Sequence, residues 1–222
     1  KYLRDFEMLM PGESVVVAVS GGLDSTVLAF LLAKASKILK INVHLAHVDH
    51  RTRGETSRQE AEWIRNLGSR LGVTVHSVSV PEGIVLNQNE FRKHRRRLLI
   101  ELTKVLGAHR IATAHHADDN AETFLMRAIS GTGINGLKGM APREGIWIKP
   151  LLNCSRESLL EYARAQRLMW VEDPSNERGQ YLRNRIRNEF FPLLEEIRQS
   201  SVSNLSIVAQ RLWEEEEELS DW

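Results

Sequence analysis

The sequence has few of the residues that mark secreted, redox-active or membrane-spanning proteins. Cys154 is the only cysteine among 222 residues. One chain can therefore form neither an internal disulfide, nor a CxxC pair, nor a thiolate-only metal or iron–sulfur cage. No apolar run approaches the roughly 20 residues that a transmembrane helix needs, and no secretory signal opens the chain. These absences predict a cytoplasmic protein with no membrane segment.

The charge balance gives no excess of either sign. Thirty Lys and Arg residues face 29 Asp and Glu residues, so the formal net charge is +1. Binding to a nucleic acid would therefore require a local basic patch and not the overall field. With 42% hydrophobic and 27% charged residues, the composition is typical of a folded protein and excludes disorder as the main state.

Short β-branched runs alternate with helical patterns along the chain. The predicted strands cover residues 15–19, 43–48, 73–80, 110–114 and 146–152, and the predicted helices cover 24–36, 57–71, 89–106, the stretch that ends at 130, and one that begins near Ser155. This alternation indicates βαβ units, which build a parallel sheet with helices on both faces and gather ligands at the carboxyl ends of the strands. We predict an α/β, doubly wound parallel sheet of about five strands in a catalytic domain of residues 1–180. A helical C-terminal segment of residues 181–222, compatible with the start of a second domain, would follow it.

The strongest local motif is Ser20-Gly21-Gly22-Leu23-Asp24-Ser25, between the first predicted strand and helix. Adjacent glycines let backbone amides approach an anion, and the helix N-terminus adds partial positive charge. The serine hydroxyls add donors, and Asp24 is placed to hold magnesium against phosphates. The motif therefore predicts a polyphosphate site; the alternative is a glycine turn with an Asp or Ser N-cap and no ligand.

Two other glycine patterns are excluded as nucleotide sites. The Walker sequence GxxxxGK[ST] does not occur. Residues 131–136 spell GxGxxG, but they follow a predicted helix instead of opening one after a strand, so NAD is not predicted.

Arg95 stands out on the helix predicted over residues 89–106. An apolar stripe runs along this helix and contains Arg95; its members are Phe91, Leu98, Leu102 and Val105. An inward arginine needs an anion or an acceptor, so the pattern predicts that Arg95 contacts one. The alternative is an arginine whose stem packs while its head reaches solvent.

His115, Asp119 and Glu122 follow the strand predicted over residues 110–114. They should lie at the same sheet edge as the glycine-rich loop, where two carboxylates can bind amines or transfer protons. However, Asp119-x-x-Glu122 is also the spacing of a helix capping box, and His115 is equally typical of a buried strand-end histidine. The residues alone leave both interpretations open.

Several motifs, taken in order, resemble one enzyme family. The loop SGGxDS resembles the PP-loop of ATP pyrophosphatases, which split ATP between its α and β phosphates. The whole set of motifs resembles the tRNA(Ile)-lysidine synthetases over residues 14 to about 194. Besides the loop and Arg95, the motifs that carry this resemblance are His47-Val48-Asp49-His50 with Arg51 and Arg53, residues 114–123, Gly131-Thr132-Gly133, Gly136-Leu137, Gly139-Met140, Pro150-Leu151-Leu152, Trp170, Asp173, Asn176 and residues 183–187. Three departures from the family pattern are Thr52, Arg96 and Lys149.

The resemblance implies an adenine nucleotide alpha hydrolase-like fold and a two-step reaction. ATP adenylates the wobble cytidine of a CAU-anticodon isoleucine tRNA, releasing pyrophosphate, and free L-lysine then displaces AMP to give lysidine. It implies ATP contacts at Ser20, Gly21, Gly22, Leu23, Asp24, Ser25, His47 and Val48, magnesium on Asp24, catalytic roles for Asp24, Arg95, His115, Asp119 and Glu122, and lysine binding by Asp119 and Glu122. A homodimer is compatible with the resemblance, although no motif indicates one.

Two basic clusters, residues 92–97 and 183–187, predict a surface for tRNA. Arg183, Asn184, Arg185 and Arg187 supply charges and amide groups that can contact phosphates and an unpaired base. The alternative is a pair of solvated helix faces. Two rival functions also remain: a PP-loop tRNA cytidine thiolase, which the single cysteine disfavours, and a non-catalytic module that binds ATP or RNA.

Overall fold

The computed structural model describes residues 1–49, 55–79, 88–171 and 182–220, and six strands in these ranges form one sheet. They are β1 (Ser14–Ala18), β2 (Asn42–Asp49), β3 (Thr74–Ser79), β4 (Arg110–Ala112), β5 (Arg143–Glu144) and β6 (Trp147–Ile148). Their order is β3-β2-β1-β4-β6-β5, and every pair is parallel except β5 with β6. The predicted doubly wound parallel sheet is therefore confirmed, with an antiparallel edge strand added.

Helices cover both faces of the sheet. They are α1 (Tyr2–Asp5), α2 (Leu23–Leu39), α3 (Glu55–Leu71), α4 (Gln88–Val105), α5 (Ala117–Ile129), α6 (Ile134–Leu137), α7 (Arg156–Ala165), α8 (Leu182–Arg185), α9 (Phe191–Ile197) and α10 (Ser201–Ser220), with a π-helical turn at Ile186–Phe190. Side chains alternate along a strand, so Val15 and Val17 pack in a core with Leu28 of α2, whereas Val16 packs in a second core with Leu99 of α4. The strand order reverses between β1 and β4, where ligand sites of such sheets lie.

The strand predicted over residues 146–152 is wrong in length. Only Trp147 and Ile148 pair with β4, and the chain then turns through Pro150, which has no N–H to donate to a ladder. The fourth strand likewise ends at Ala112 and not at residue 114. The two-residue strand β5 was not predicted, because two residues are too short to show an alternating pattern.

The C-terminal helices pack beside α5. Asn120 of α5 is buried, accepts a hydrogen bond from the Met140 amide at 2.7 Å and donates one to the Ser206 carbonyl at 3.3 Å. Ala121 shares a small core with Ile186 and Phe191. The predicted boundary at residue 180 stays a prediction. Among the described residues, no helix is both long and apolar enough to cross a bilayer.

Candidate active site

The glycine-rich loop turns sharply between β1 and α2. Gly21 has φ +88°, a region that favours glycine, and Gly22 occupies the N-cap position of α2. The Ser25 hydroxyl accepts from the Ser20 amide at 3.2 Å and donates to the Gly22 carbonyl at 3.1 Å. Because the N-cap residue is glycine, the alternative with an Asp or Ser cap does not apply. The first turn of α2 therefore offers its amides and partial positive charge at the sheet edge.

Asp24, in that first turn, carries a buried oxygen that fits a cation. Its Oδ1 has no hydrogen-bond partner among the described residues. Burial raises the pKa of Asp24, and His116 opposes this shift. Magnesium is typically held by one or two carboxylates together with water and phosphate oxygens. Within the described ranges, no group of three His, Cys, Asp or Glu side chains could hold a metal ion.

His116 connects the loop to α5. Its buried ring lies between three carboxylates: Nε2 is 3.7 Å from Asp24 Oδ2 and 3.5 Å from Asp119 Oδ2, and Nδ1 is 3.5 Å from Asp118 Oδ1. Burial alone would lower the pKa of His116, but the carboxylates outweigh it and raise that pKa above its ordinary value. The ring thus lies between acidic groups from two separate helices, whose negative charge favours its protonated form.

The capping box at the start of α5 differs from the predicted one. His116 is the N-cap residue, and its backbone amide donates to Asp119 Oδ2 at 3.1 Å. The box is thus His116 with Asp119, whereas the sequence spacing had suggested Asp119 with Glu122. Asp119 still has its second oxygen available for another partner.

Glu122 is completely buried and faces two arginines of the C-terminal helices. Its Oε1 accepts from Arg187 Nε at 2.6 Å, and its Oε2 lies 2.9 Å from Arg183 Nε. Arg187 Nη2 also donates to Asp119 Oδ1 at 3.0 Å. Burial raises the pKa of Glu122, with Arg187 opposing, while the two carboxylates raise the pKa of Arg187 despite its own burial. Because arginine stays charged in proteins, its hydrogen bonds to the two carboxyl groups are charge-assisted. The residues predicted to bind lysine and those predicted to bind tRNA therefore lie together.

His115 lies between the end of β4 and the start of α5. Its Nδ1 lies 2.9 Å from Thr113 Oγ1. Burial, together with the positive charges of Lys149, Arg95 and Arg92, lowers the pKa of His115 to about 4, although Asp119 opposes this. His115 is consequently neutral at neutral pH and can donate one hydrogen bond, but it cannot act there as a cationic acid.

A basic cluster of Arg92, Arg95, Arg96 and Lys149 lies near His115: three of its members act on His115, and Arg96 acts on Arg95 and Lys149. Lys149 is buried and donates to the Ala141 carbonyl at 2.7 Å, and burial lowers its pKa. The guanidinium of Arg96 stacks over the Trp147 ring at 4.2 Å. Sequence reasoning did not assign Lys149 a role, because a lone lysine before Pro150 carries no visible sign of burial.

The predicted stripe on α4 is partly wrong. Val105 is 83% exposed, whereas Leu99 and Thr103 are buried against the sheet. Arg95 is exposed, not inward, although it lies one turn before Leu99. The pKa of Arg95 is lowered by partial loss of water and by Arg92 and Arg96. The exposed side chain of Arg95 can therefore face a ligand.

The remaining predicted residues lie at the same edge or near it. His47 and Val48 are buried at the end of β2, and His47 Nδ1 lies 3.3 Å from the Val19 carbonyl. Arg185 forms an exposed pair with Glu189, at 3.1 Å, and Asn184 is half-buried. Five family-motif residues lie outside the described ranges: His50, Arg51, Arg53, Asp173 and Asn176.

A parallel sheet with this loop after its first strand defines an ATP-binding α/β protein of the PP-loop class. The profile of the PP-loop domain family matches residues 2–194, and the chain belongs to that family.

Among its relatives, the tRNA(Ile)-lysidine synthases of Symbiobacterium thermophilum and Thermotoga maritima are 38% and 39% identical, over 100% and 86% of this chain. That of Chlorobaculum tepidum is 36% identical over 86% of it. The chain spans 48%, 47% and 59% of these relatives, about half their length. The solved structure of the U34-tRNA thiolase NcsA from Methanococcus maripaludis, with its [4Fe-4S] cluster, shares the fold: its TM-score is 0.77 at 21% identity, over 96% of this chain and 76% of that one.

Proposed function

We propose that the chain is the catalytic part of a tRNA(Ile)-lysidine synthase. The enzyme uses ATP and free L-lysine to convert the wobble cytidine of a CAU-anticodon isoleucine tRNA into lysidine. Oxygen 2 of the cytosine attacks the α-phosphate of ATP and pyrophosphate leaves; the lysine ε-amine then attacks carbon 2 and AMP leaves. Relatives that carry this name match nearly all of the chain at 36–39% identity.

The observation that carries the proposal is the position of His116. One buried ring lies 3.7 Å from the loop carboxylate Asp24 and 3.5 Å from Asp119 on α5. Groups suited to a triphosphate and groups suited to an amine therefore meet at one sheet edge. The amides of α2 with Ser20 and Ser25 bind the phosphates, and Asp24 would hold magnesium, which neutralises phosphate charge when bound.

The basic cluster serves the phosphate that reacts. Arg95 and Arg92 stabilise the negative charge that develops as the α-phosphate is attacked and as AMP leaves. Neutral His115 donates a hydrogen bond to the same region without adding charge.

The acidic side of the edge serves the amine. A lysine ε-ammonium must lose a proton before its nitrogen can attack, and Asp119, whose side chain is 16% exposed, is the carboxylate assigned to that transfer. Glu122, which has no exposed surface, supplies negative charge from beneath.

The tRNA follows the exposed basic groups near this edge. The pair between Arg185 and Glu189 is solvent-exposed on both sides, so it contributes little stability and its arginine can turn to a phosphate at small cost. Arg183, Asn184 and Arg187, on the same turns, and residues 92–97 complete the surface.

Labelled lysine, ATP, magnesium and the isoleucine tRNA, mixed with the full-length protein, test the proposal. We expect pyrophosphate release that needs the tRNA, and label in the tRNA that needs ATP. Sulfur incorporation in place of lysine would identify a thiolase instead, and ATP and tRNA binding without pyrophosphate release would identify a non-catalytic module. The thiolase is disfavoured because burial raises the pKa of Cys154, the opposite of what a reactive thiolate needs.

A further inference from the structure

Two arginines occupy the carboxylates that the proposed function assigns to lysine. Arg187 donates to Glu122 and Asp119 at 2.6 Å and 3.0 Å, and Arg183 lies 2.9 Å from the other Glu122 oxygen. The negative charges of this site are therefore already neutralised. An incoming ammonium group gains little electrostatic energy there unless a guanidinium leaves.

The two guanidiniums are placed so that they can leave. The side chains of Arg187 and Arg183 are 38% and 39% exposed, so they form the rim that covers Glu122. The backbone beneath them is fixed, because the buried Ile186 packs on Ala121 of α5. Arg187 belongs to the π-helical turn, a backbone form that is frequent at functional sites.

A phosphate backbone at this rim would compete for the same guanidiniums. Arginine binds phosphate in the same two-pronged geometry as carboxylate, and it remains charged in either setting. The exposed Arg185 lies two residues from both Arg183 and Arg187 in sequence and pairs with Glu189 at 3.1 Å.

We infer that Arg187, assisted by Arg183, is an internal occupant of the lysine site, a latch that RNA phosphates withdraw. This inference rests on the proposed function, since it requires lysine and RNA as substrates. When the latch opens, the lysine ammonium replaces the guanidinium, so that Glu122 always keeps a cation beside it. Lysine then binds weakly to the free enzyme and more tightly once RNA is in place, which makes Arg187 a determinant of the order of substrate binding.

Equilibrium dialysis of labelled lysine against the full-length protein, without RNA, tests the latch. A latch that is closed about 90% of the time weakens apparent affinity about tenfold. We therefore expect Arg187→Gln to tighten lysine binding about tenfold, Arg183→Gln to tighten it less, and Arg187→Lys, which keeps the charge, to resemble the wild type. Arg164→Gln, at an exposed position on α7, should leave lysine affinity unchanged. Saturating tRNA should narrow the gap between the wild type and Arg187→Gln.

Unchanged or weaker lysine binding in Arg187→Gln would overturn the latch and leave Arg187 as a residue that only positions the carboxylates. Circular dichroism shows whether each variant folds. If Arg187→Gln does not fold, the test depends on Arg183→Gln, which retains both Arg187 contacts. Unchanged lysine affinity in Arg183→Gln then overturns the inference. A failure of the proposed function looks different, because the wild type would then make no lysidine from ATP, lysine and tRNA. If the wild type forms lysidine but the variants do not bind lysine more tightly, the latch is rejected and the proposed function stands.

Discussion

The buried pair of Arg187 and Glu122 predicts unequal costs for removing its two members. Glu122 has no exposed surface, whereas Arg187 and Arg183 are 38% and 39% exposed. Arg187→Gln leaves a carboxylate that cannot reach water, and Glu122→Gln leaves guanidiniums that can. The arginine replacement should therefore destabilise the fold more than the glutamate replacement does.

The size of the difference follows from the contacts that remain. Stranding one member of a buried ion pair costs about 3–5 kcal/mol. Since Arg183 stays 2.9 Å from Glu122, we expect a reduced cost of about 2–3 kcal/mol for Arg187→Gln. Glu122→Gln should cost about 1 kcal/mol, because the freed arginines turn to solvent. The double variant should be more stable than the sum of the two single costs predicts, by about 1 kcal/mol or more.

Urea unfolding followed by circular dichroism measures these values, provided that the slope of the unfolding free energy with urea stays constant. Arg164→Gln serves as the surface control and should stay within about 0.5 kcal/mol of the wild type. Two results would refute the reasoning: an Arg187→Gln cost no larger than that of the control, or strictly additive costs in the double variant.

Three further predictions concern the residues at the sheet edge. Asp24→Asn should lower pyrophosphate release by about 100-fold or more, yet leave the urea midpoint unchanged or higher, because burial already disfavours the charge of Asp24; a coincident loss of stability would contradict this separation. The pKa of His116 is raised in the folded state. The contribution of His116 to the stability of the fold is therefore complete below the pKa of a free histidine, and it is lost as pH rises through the folded-state pKa. Between about pH 6 and pH 8 the urea midpoint should consequently fall more in the wild type than in His116→Gln. An equal fall in both proteins would contradict this role of His116. His115 should titrate with a pKa of about 4 in the free protein by NMR, and added pyrophosphate should raise that pKa, because nearby negative charge favours the protonated ring; ordinary titration in the free protein would disprove the effect of burial.

Local patterns in the sequence are sufficient to predict the parallel sheet and the glycine-rich loop. The alternation of strands and helices predicted the five parallel strands, and the glycines of residues 20–25 predicted the turn into α2. These features depend on neighbours within a few positions, where period and backbone freedom are visible. The same limit explains the shortened strand at β6, because pairing length depends on the neighbouring strand and not on the residues themselves.

The candidate site needed contacts between distant positions. Arg187 and Glu122 lie 65 residues apart in sequence, and no local pattern predicts that one neutralises the other. In the sequence, nothing distinguishes His116 except that it follows His115. In the structure it is the N-cap residue of α5 and lies among carboxylates from two helices. Arg95 has the spacing of an inward residue, yet its side chain is exposed. In each case the deciding quantity, burial or charge, belongs to the tertiary structure.

Carboxylates and the basic cluster lie on different sides of the sheet edge, which a net charge of +1 does not reveal. Asp24, Asp118, Asp119 and Glu122 lie on the α2 and α5 side, whereas the basic cluster lies on the α4 side. Bringing a triphosphate to Asp24 places like charges together, which costs energy unless cations intervene. Under the proposed function a magnesium ion supplies such a cation on the acidic side, where the carboxylates also favour the protonated form of His116, and Arg95 supplies one from the other side. An RNA that withdraws Arg187 would remove a positive charge from the carboxylates and add the negative charges of its own phosphates. The lysine ammonium therefore enters where negative charge most exceeds positive charge.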